Sequence, residues 1–163
     1  MRILPFVALI AVAACSRAPR YAAFRSPLGY TVEAPAGWRV DMDPVADRRP
    51  ASSTFFADGP PLGAVLSIGR FVRRRDQVPG GPKAFADYQK GFLQPTIKLF
   101  GDDASTAARK DYSRTEKDSR VEGTAYRTPD AYFLVECRSA PQRRDLCAAA
   151  LERARATFAP PAS

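Results

Sequence analysis

The side chains here that could do chemistry are three cysteines, a surplus of arginine and two pairs of neighbouring aspartates; histidine is absent. Without imidazole there is no Ser–His or Cys–His nucleophile, no His-ligated metal and no imidazole switch near neutral pH. Asn is absent too, so there is no N-glycosylation acceptor. No G-x-S-x-G, no phosphate-binding G-x-x-x-x-G-K-[ST] and no zinc-spaced cysteine cluster occurs. No cofactor or metal is implied, and the reading is of a non-enzyme. Asp41 with Asp43, and Asp102 with Asp103, are close enough to share a Ca²⁺ or a proton. Both pairs lie in polar stretches with few further oxygen ligands, where Asp is an ordinary turn former.

Arginine carries the charge. Lys and Arg total 25 against 17 acidic residues, for a net charge of +8. Guanidinium forks match carboxylates and phosphates. The densest basic site is Arg70 with Arg73, Arg74 and Arg75, a candidate contact for an acidic envelope protein or anionic lipid headgroups; the plain alternative is a strand end passing into solvent. The following Gly80-Gly81 is either an anion nest or an ordinary loop.

Cys15 closes a distinctive start. Arg2 gives a positive n-region, residues 3–11 an apolar run broken only by Pro5, and Val12-Ala13-Ala14 a small-residue site. The run is too short to span a bilayer, which takes about 20 residues. This order resembles the lipobox of bacterial lipoproteins, in which the signal is cut before the Cys and the thiol is diacylated. The alternative is a secretory signal cut after Ala14. The resemblance implies a signal over residues 1–14, a lipidated Cys15 with a polar tether over 15–23, and attachment to the membrane through that lipid. Ser16, rather than Asp, follows the Cys; in a Gram-negative cell that implies the outer membrane, facing the periplasm. An exported protein seldom meets nucleic acid, so none is expected as a partner.

With Cys15 assigned to lipid, Cys137 and Cys147 remain. Cys137 shares a strand face with Phe133 and Val135. Cys147, Leu151, Ala154 and Phe158 recur at helical spacing. An oxidising compartment favours a disulfide tying the last strand to the last helix; two buried free thiols are the alternative.

The elements that position these groups follow from periodicity. Tyr30, Val32 and Ala34 alternate with polar residues, as in a half-buried strand. Pro35-Ala36-Gly37 marks a turn, followed by a short strand with Trp38 and Val40. Residues 41–50 read as a loop. Strands are expected over 53–57, 63–72, 111–115, 120–127 and 131–137. Pro82 opens a helix carrying Phe85, Tyr88 and Phe92, which Pro95 should end or kink. A last helix runs over 143–158, and residues 159–163 read as a disordered tail. The aromatics Trp38, Phe85, Tyr88 and Phe92 pack a core or, alternatively, line an apolar ligand cavity. Tyr132, Leu134 and Glu136 face away from Cys137, a candidate partner surface if no helix covers them.

The order predicts an α+β fold: one mainly antiparallel sheet of about six to seven strands covered by helices, over residues 24–158. The opening FRSPLGYTVEAPAGWRV resembles the start of PsbP-like domains and of related DcrB-like bacterial lipoproteins. That resemblance implies the same sheet-and-helix architecture. Since its best-known members bind other macromolecules, it also implies a binding or accessory module rather than an enzyme. A small-ligand or lipid carrier is the alternative, and a carboxylate hydrolase a more distant one.

Overall fold

The structure is a computed structural model and describes residues 20–43, 50–57, 63–102, 106, 108–117 and 119–161. The expected signal, Cys15, residues 16–19 of the tether, Asp103 and residues 162–163 of the tail lie outside the described residues.

The fold is α+β. Tyr21–Arg25 (β1) and Thr31–Pro35 (β2) form a two-stranded antiparallel sheet. Arg39–Asp43 (β3), Ala51–Phe56 (β4), Val65–Val72 (β5), Arg109–Glu116 (β6), Ser119–Arg127 (β7) and Ala131–Ser139 (β8) form a six-stranded sheet in the order β3-β4-β5-β8-β7-β6. Every neighbouring pair in it is antiparallel. Between β5 and β6 the chain passes through Gly81–Tyr88 (α1), a π turn at Gln89–Leu93, and Gln94–Lys98 (α2). Arg144–Thr157 (α3) closes the domain.

Alternating burial separates the two sheet faces. On one, Phe55, Leu66, Ile68, Phe133, Val135 and Cys137 pack with residues of β2 and with Cys147, Leu151 and Ala154 of α3. Cys137 and Cys147 are joined in a disulfide, their Cα atoms 5.7 Å apart. On the other face, Phe71, Ala125 and Tyr132 pack with Tyr88, Leu93 and Phe100 from the α1–α2 segment.

Three local expectations differ from the structure. β1 takes in Tyr21–Ala23, which the sequence leaves in the tether; its alternation is too weak to read, because Ala22 and Ala23 are both exposed. Asp41 and Asp43 lie in β3 rather than in a loop, because pairing with Thr54 and Ser52 extends the strand. Of the two outcomes expected at Pro95, the helix does not end there; its α-helical ladder is interrupted instead, by the π turn just before. The Gln94 N–H bonds to the Gln89 carbonyl, five residues back, and Pro95 falls in the first turn of α2. The hydrogen-bond ladder changes register just before Pro95, so a residue with no N–H to give sits where the π turn passes into α2 and the helical path continues. The expected disordered tail is corrected at Ala159, which exchanges two backbone hydrogen bonds of 2.9 Å with Thr31 because the edge of β2 is open to it.

Candidate functional site

Among the described residues, helices cover only one end of the α1 side of the sheet. Tyr132 and Leu134 lie under that cover. Glu136, two residues on, instead lines an open trough of about 320 Å³ with Phe56, Val65, Ser67, Val121 and Arg138, all strand residues.

Register builds this site. Ser67, Glu136, Gly123 and Tyr112 form one cross-strand row over β5-β8-β7-β6; Val65, Arg138, Val121 and Arg114 form the next. Gly123 has no side chain, so the Tyr112 ring lies across it and its hydroxyl donates to Glu136 Oε1 at 2.5 Å. Arg114 Nη1 donates to the same oxygen at 2.5 Å, and its Nε to Glu116 Oε1 at 2.7 Å. Arg138 Nη2 donates to Glu116 Oε2 at 2.5 Å. The Glu136 side chain is only 16% exposed, so its contacts are the least screened of the set.

The ladder of two guanidinium groups and two carboxylates is neutral. Burial pushes the Tyr112 phenol well above the ordinary tyrosine range, and the Glu136 carboxylate adds to it. For Arg114, burial opposes the charge, but the hydrogen bonds it donates to Glu136 and Glu116 outweigh it and raise the pKa. The Arg114 hydrogen bond, and then the charges of Arg138 and Arg114, hold the Glu116 carboxyl below its usual value against a smaller effect of burial. Both arginines and both carboxylates are bound to one another. The ladder is therefore a polar wall beside an apolar floor of Phe56, Val65 and Val121.

These shifts give a pH prediction. Glu116 has a depressed folded-state pKa, so its contribution is complete above the unfolded carboxylate value and is lost as pH falls through the folded one. Tyr88 is the mirror case: burial pushes it from 10.0 up to about 12. Its contribution is complete below 10.0 and is lost as pH rises toward 12. Urea midpoints measured against pH should fall at both ends. Glu116→Gln should flatten the acid limb, and Tyr88→Phe the alkaline one.

The basic site predicted from sequence is divided by the sheet. Arg70 lies on the α3 side, opposite Phe133, in a recess of about 50 Å³ with Asp130 and Pro161. Arg73 folds the other way, its guanidinium 5.2 Å from the Tyr132 ring centre, and donates to the carbonyls of Thr128 and Pro129 at 3.0 and 3.2 Å. Arg74 pairs with Asp76 at 2.7 Å. Arg75 is exposed in a short 3-10 turn. The four do not converge. The aromatic set is split as well: Trp38 packs against the α3-side core, and Phe85, Tyr88 and Phe92 belong to the opposite one. Gly80 and Gly81 have φ of 93° and 78° and form the bend that starts α1. Asp102 is exposed.

A second groove, of about 240 Å³, runs along the disulfide between β7, β8 and α3, with Arg120, Glu122, Arg144 and Asp145 at its edges. Among the described residues no group of three His, Cys, Asp or Glu side chains could hold a metal ion, and no helix is long and apolar enough to cross a membrane.

No family model matches the chain, and neither the curated proteins nor the solved structures contain a match to it. The site therefore stands on its own geometry. Of its ladder, the sequence singled out only Glu136. Tyr112, Arg114 and Glu116 alternate along β6 at i, i+2 and i+4, which places them on one face. That signal was present, but nothing local says that Glu136 and Arg138 lie two strands away on the same face.

Proposed function

We propose that this chain is a lipid-anchored bacterial envelope protein whose domain binds a partner through the open trough beside Glu136, without catalysis. The observation that carries the reading is the division of the three cysteines. Cys137 and Cys147 are bridged. Such a bridge fits an oxidising, extracytoplasmic compartment, and Cys15 remains as the one cysteine within a lipobox-like Val-Ala-Ala-Cys. Two acyl chains there would hold the chain stably, at about 0.8 kcal/mol per buried CH₂. The resemblance of the chain's start to PsbP-like domains supports a binding role, and the open trough offers a surface for it.

Metabolic labelling with an alkynyl palmitate tests the anchor. Label is expected on the wild-type chain and should be lost in Cys15→Ser; an unlabelled wild-type chain would remove the anchor. A photo-crosslinking side chain at Ser67, in the trough, tests the binding role in intact cells. One dominant protein adduct is expected. Adducts with lipid or glycan alone would favour the carrier reading.

A further inference from the structure

We infer that Trp38, Val40 and Met42 form an apolar stripe that rests on the bilayer holding the anchor. This rests on the lipid proposed at Cys15. Residues 38, 40 and 42 share one side of an extended segment. β3 is an edge strand, and Val40 and Met42, 39% and 44% exposed, are the exposed large hydrophobic side chains among the described residues. Trp38 is half-buried beside them. The other side of β3 carries the charges. Arg39 pairs with Asp41 at 3.1 Å, and its guanidinium lies 4.7 Å from the Phe56 ring centre. The strand is thus amphipathic across its width, and the stripe is about 13 Å long at the usual strand rise.

The tether brings this strand to the membrane. The Ala36 N–H donates to the Arg20 carbonyl at 2.7 Å, and the Trp38 N–H to the Pro35 carbonyl at 3.4 Å. The chain therefore enters the domain two residues from Trp38. Between Cys15 and Tyr21 it can extend at most about 20 Å. An acyl chain at Cys15 keeps the Trp38 end of the domain within that distance of the headgroups. There an indole, with one apolar body and one N–H donor, is well placed. A second copy of the chain is the rival cover. Antiparallel β3–β3 pairing that set Val40 against Met42 would put Asp41 opposite its own copy but Arg39 opposite Asp43 twice, so it is the experiment that separates this cover from the bilayer.

The chain has one Trp, so its fluorescence reads this position alone. The lipidated full chain would be reconstituted into vesicles of phosphatidylethanolamine and phosphatidylglycerol containing an acyl-brominated lipid. Trp38 emission should be quenched, and the quenching should persist at high salt, because the contact is apolar. Val40→Asp with Met42→Asp should lose most of the quenching while sedimenting with vesicles as before and keeping the wild-type melting temperature. Sedimentation without quenching, or a dimer that hides the stripe, would overturn the inference and leave the anchor standing. A wild-type chain that stays in the supernatant would overturn both.

Discussion

Replacing Cys137 and Cys147 together by Ala is expected to lower the free energy of unfolding by about 2–4 kcal/mol. The bridge closes a loop of sequence separation 10, short enough to put the entropic effect toward the lower end of that range. Packing adds to it, because both sulfurs sit in the core beside Leu66 and Leu151. The helix should stay docked. Arg153 Nη2 pairs with Glu33 at 2.5 Å, and the Thr157 hydroxyl accepts the Glu33 N–H at 2.9 Å. Farther toward β6, Arg155 Nε donates to Thr124 Oγ1 at 2.6 Å, which in turn donates to Asp111 at 2.5 Å. Burial works against ionisation of Asp111, but the Thr124 hydrogen bond and the Arg155 and Arg109 charges outweigh it and keep the carboxyl below its usual range. The expected outcome is one cooperative transition at a melting temperature lower by roughly 10 °C, at about 3–4 °C per kcal/mol. An unchanged melting temperature would show that the docked helix gains nothing from the bridge.

The fold was legible where one face is buried and the other is not. β5, β7 and β8 alternate through Leu66 and Ile68, through Val121, Gly123 and Ala125, and through Phe133, Val135 and Cys137, so period two carries through. α3 was legible for the same reason: Cys147, Leu151 and Ala154 repeat on one stripe and are buried. What failed depends on partners distant in sequence. β1 is a strand only because β2 accepts it, and its Ala-rich sequence has no stripe to show. Asp41 and Asp43 join β3 through β4. The four clustered arginines are neighbours in sequence, but a strand sends Arg70 to one face, and the chain turns before Arg74. The ladder was illegible for a related reason. Its members come from β6 and β8, and the strand between them contributes a glycine.

That glycine supports the second large effect. In a strand, Gly is ordinarily worse than Ala by about 0.5–1 kcal/mol, so Gly123→Ala would stabilise an open site. Here the added Cβ would lie 2.7 Å from Tyr112 Cζ and Oη and 3.0 Å from Glu136 Cγ. The ring must swing away, which breaks its hydrogen bond to a carboxylate; such bonds are worth about 1.5–3 kcal/mol. The sign should therefore reverse, with Gly123→Ala costing about 1–3 kcal/mol. Gly91 is the control: it lies in the helical segment with nothing within 4 Å of an added Cβ. Gly91→Ala should stabilise by about 0.5–1 kcal/mol. In a Tyr112→Ala background the cost of Gly123→Ala should shrink, leaving an interaction of about 1–2 kcal/mol in the double-mutant cycle. Additive effects would mean that Tyr112 does not need the space over Gly123. A strong interaction would mean that the glycine is what lets an edge-strand tyrosine reach a carboxylate two strands away, and so sets the wall of the trough.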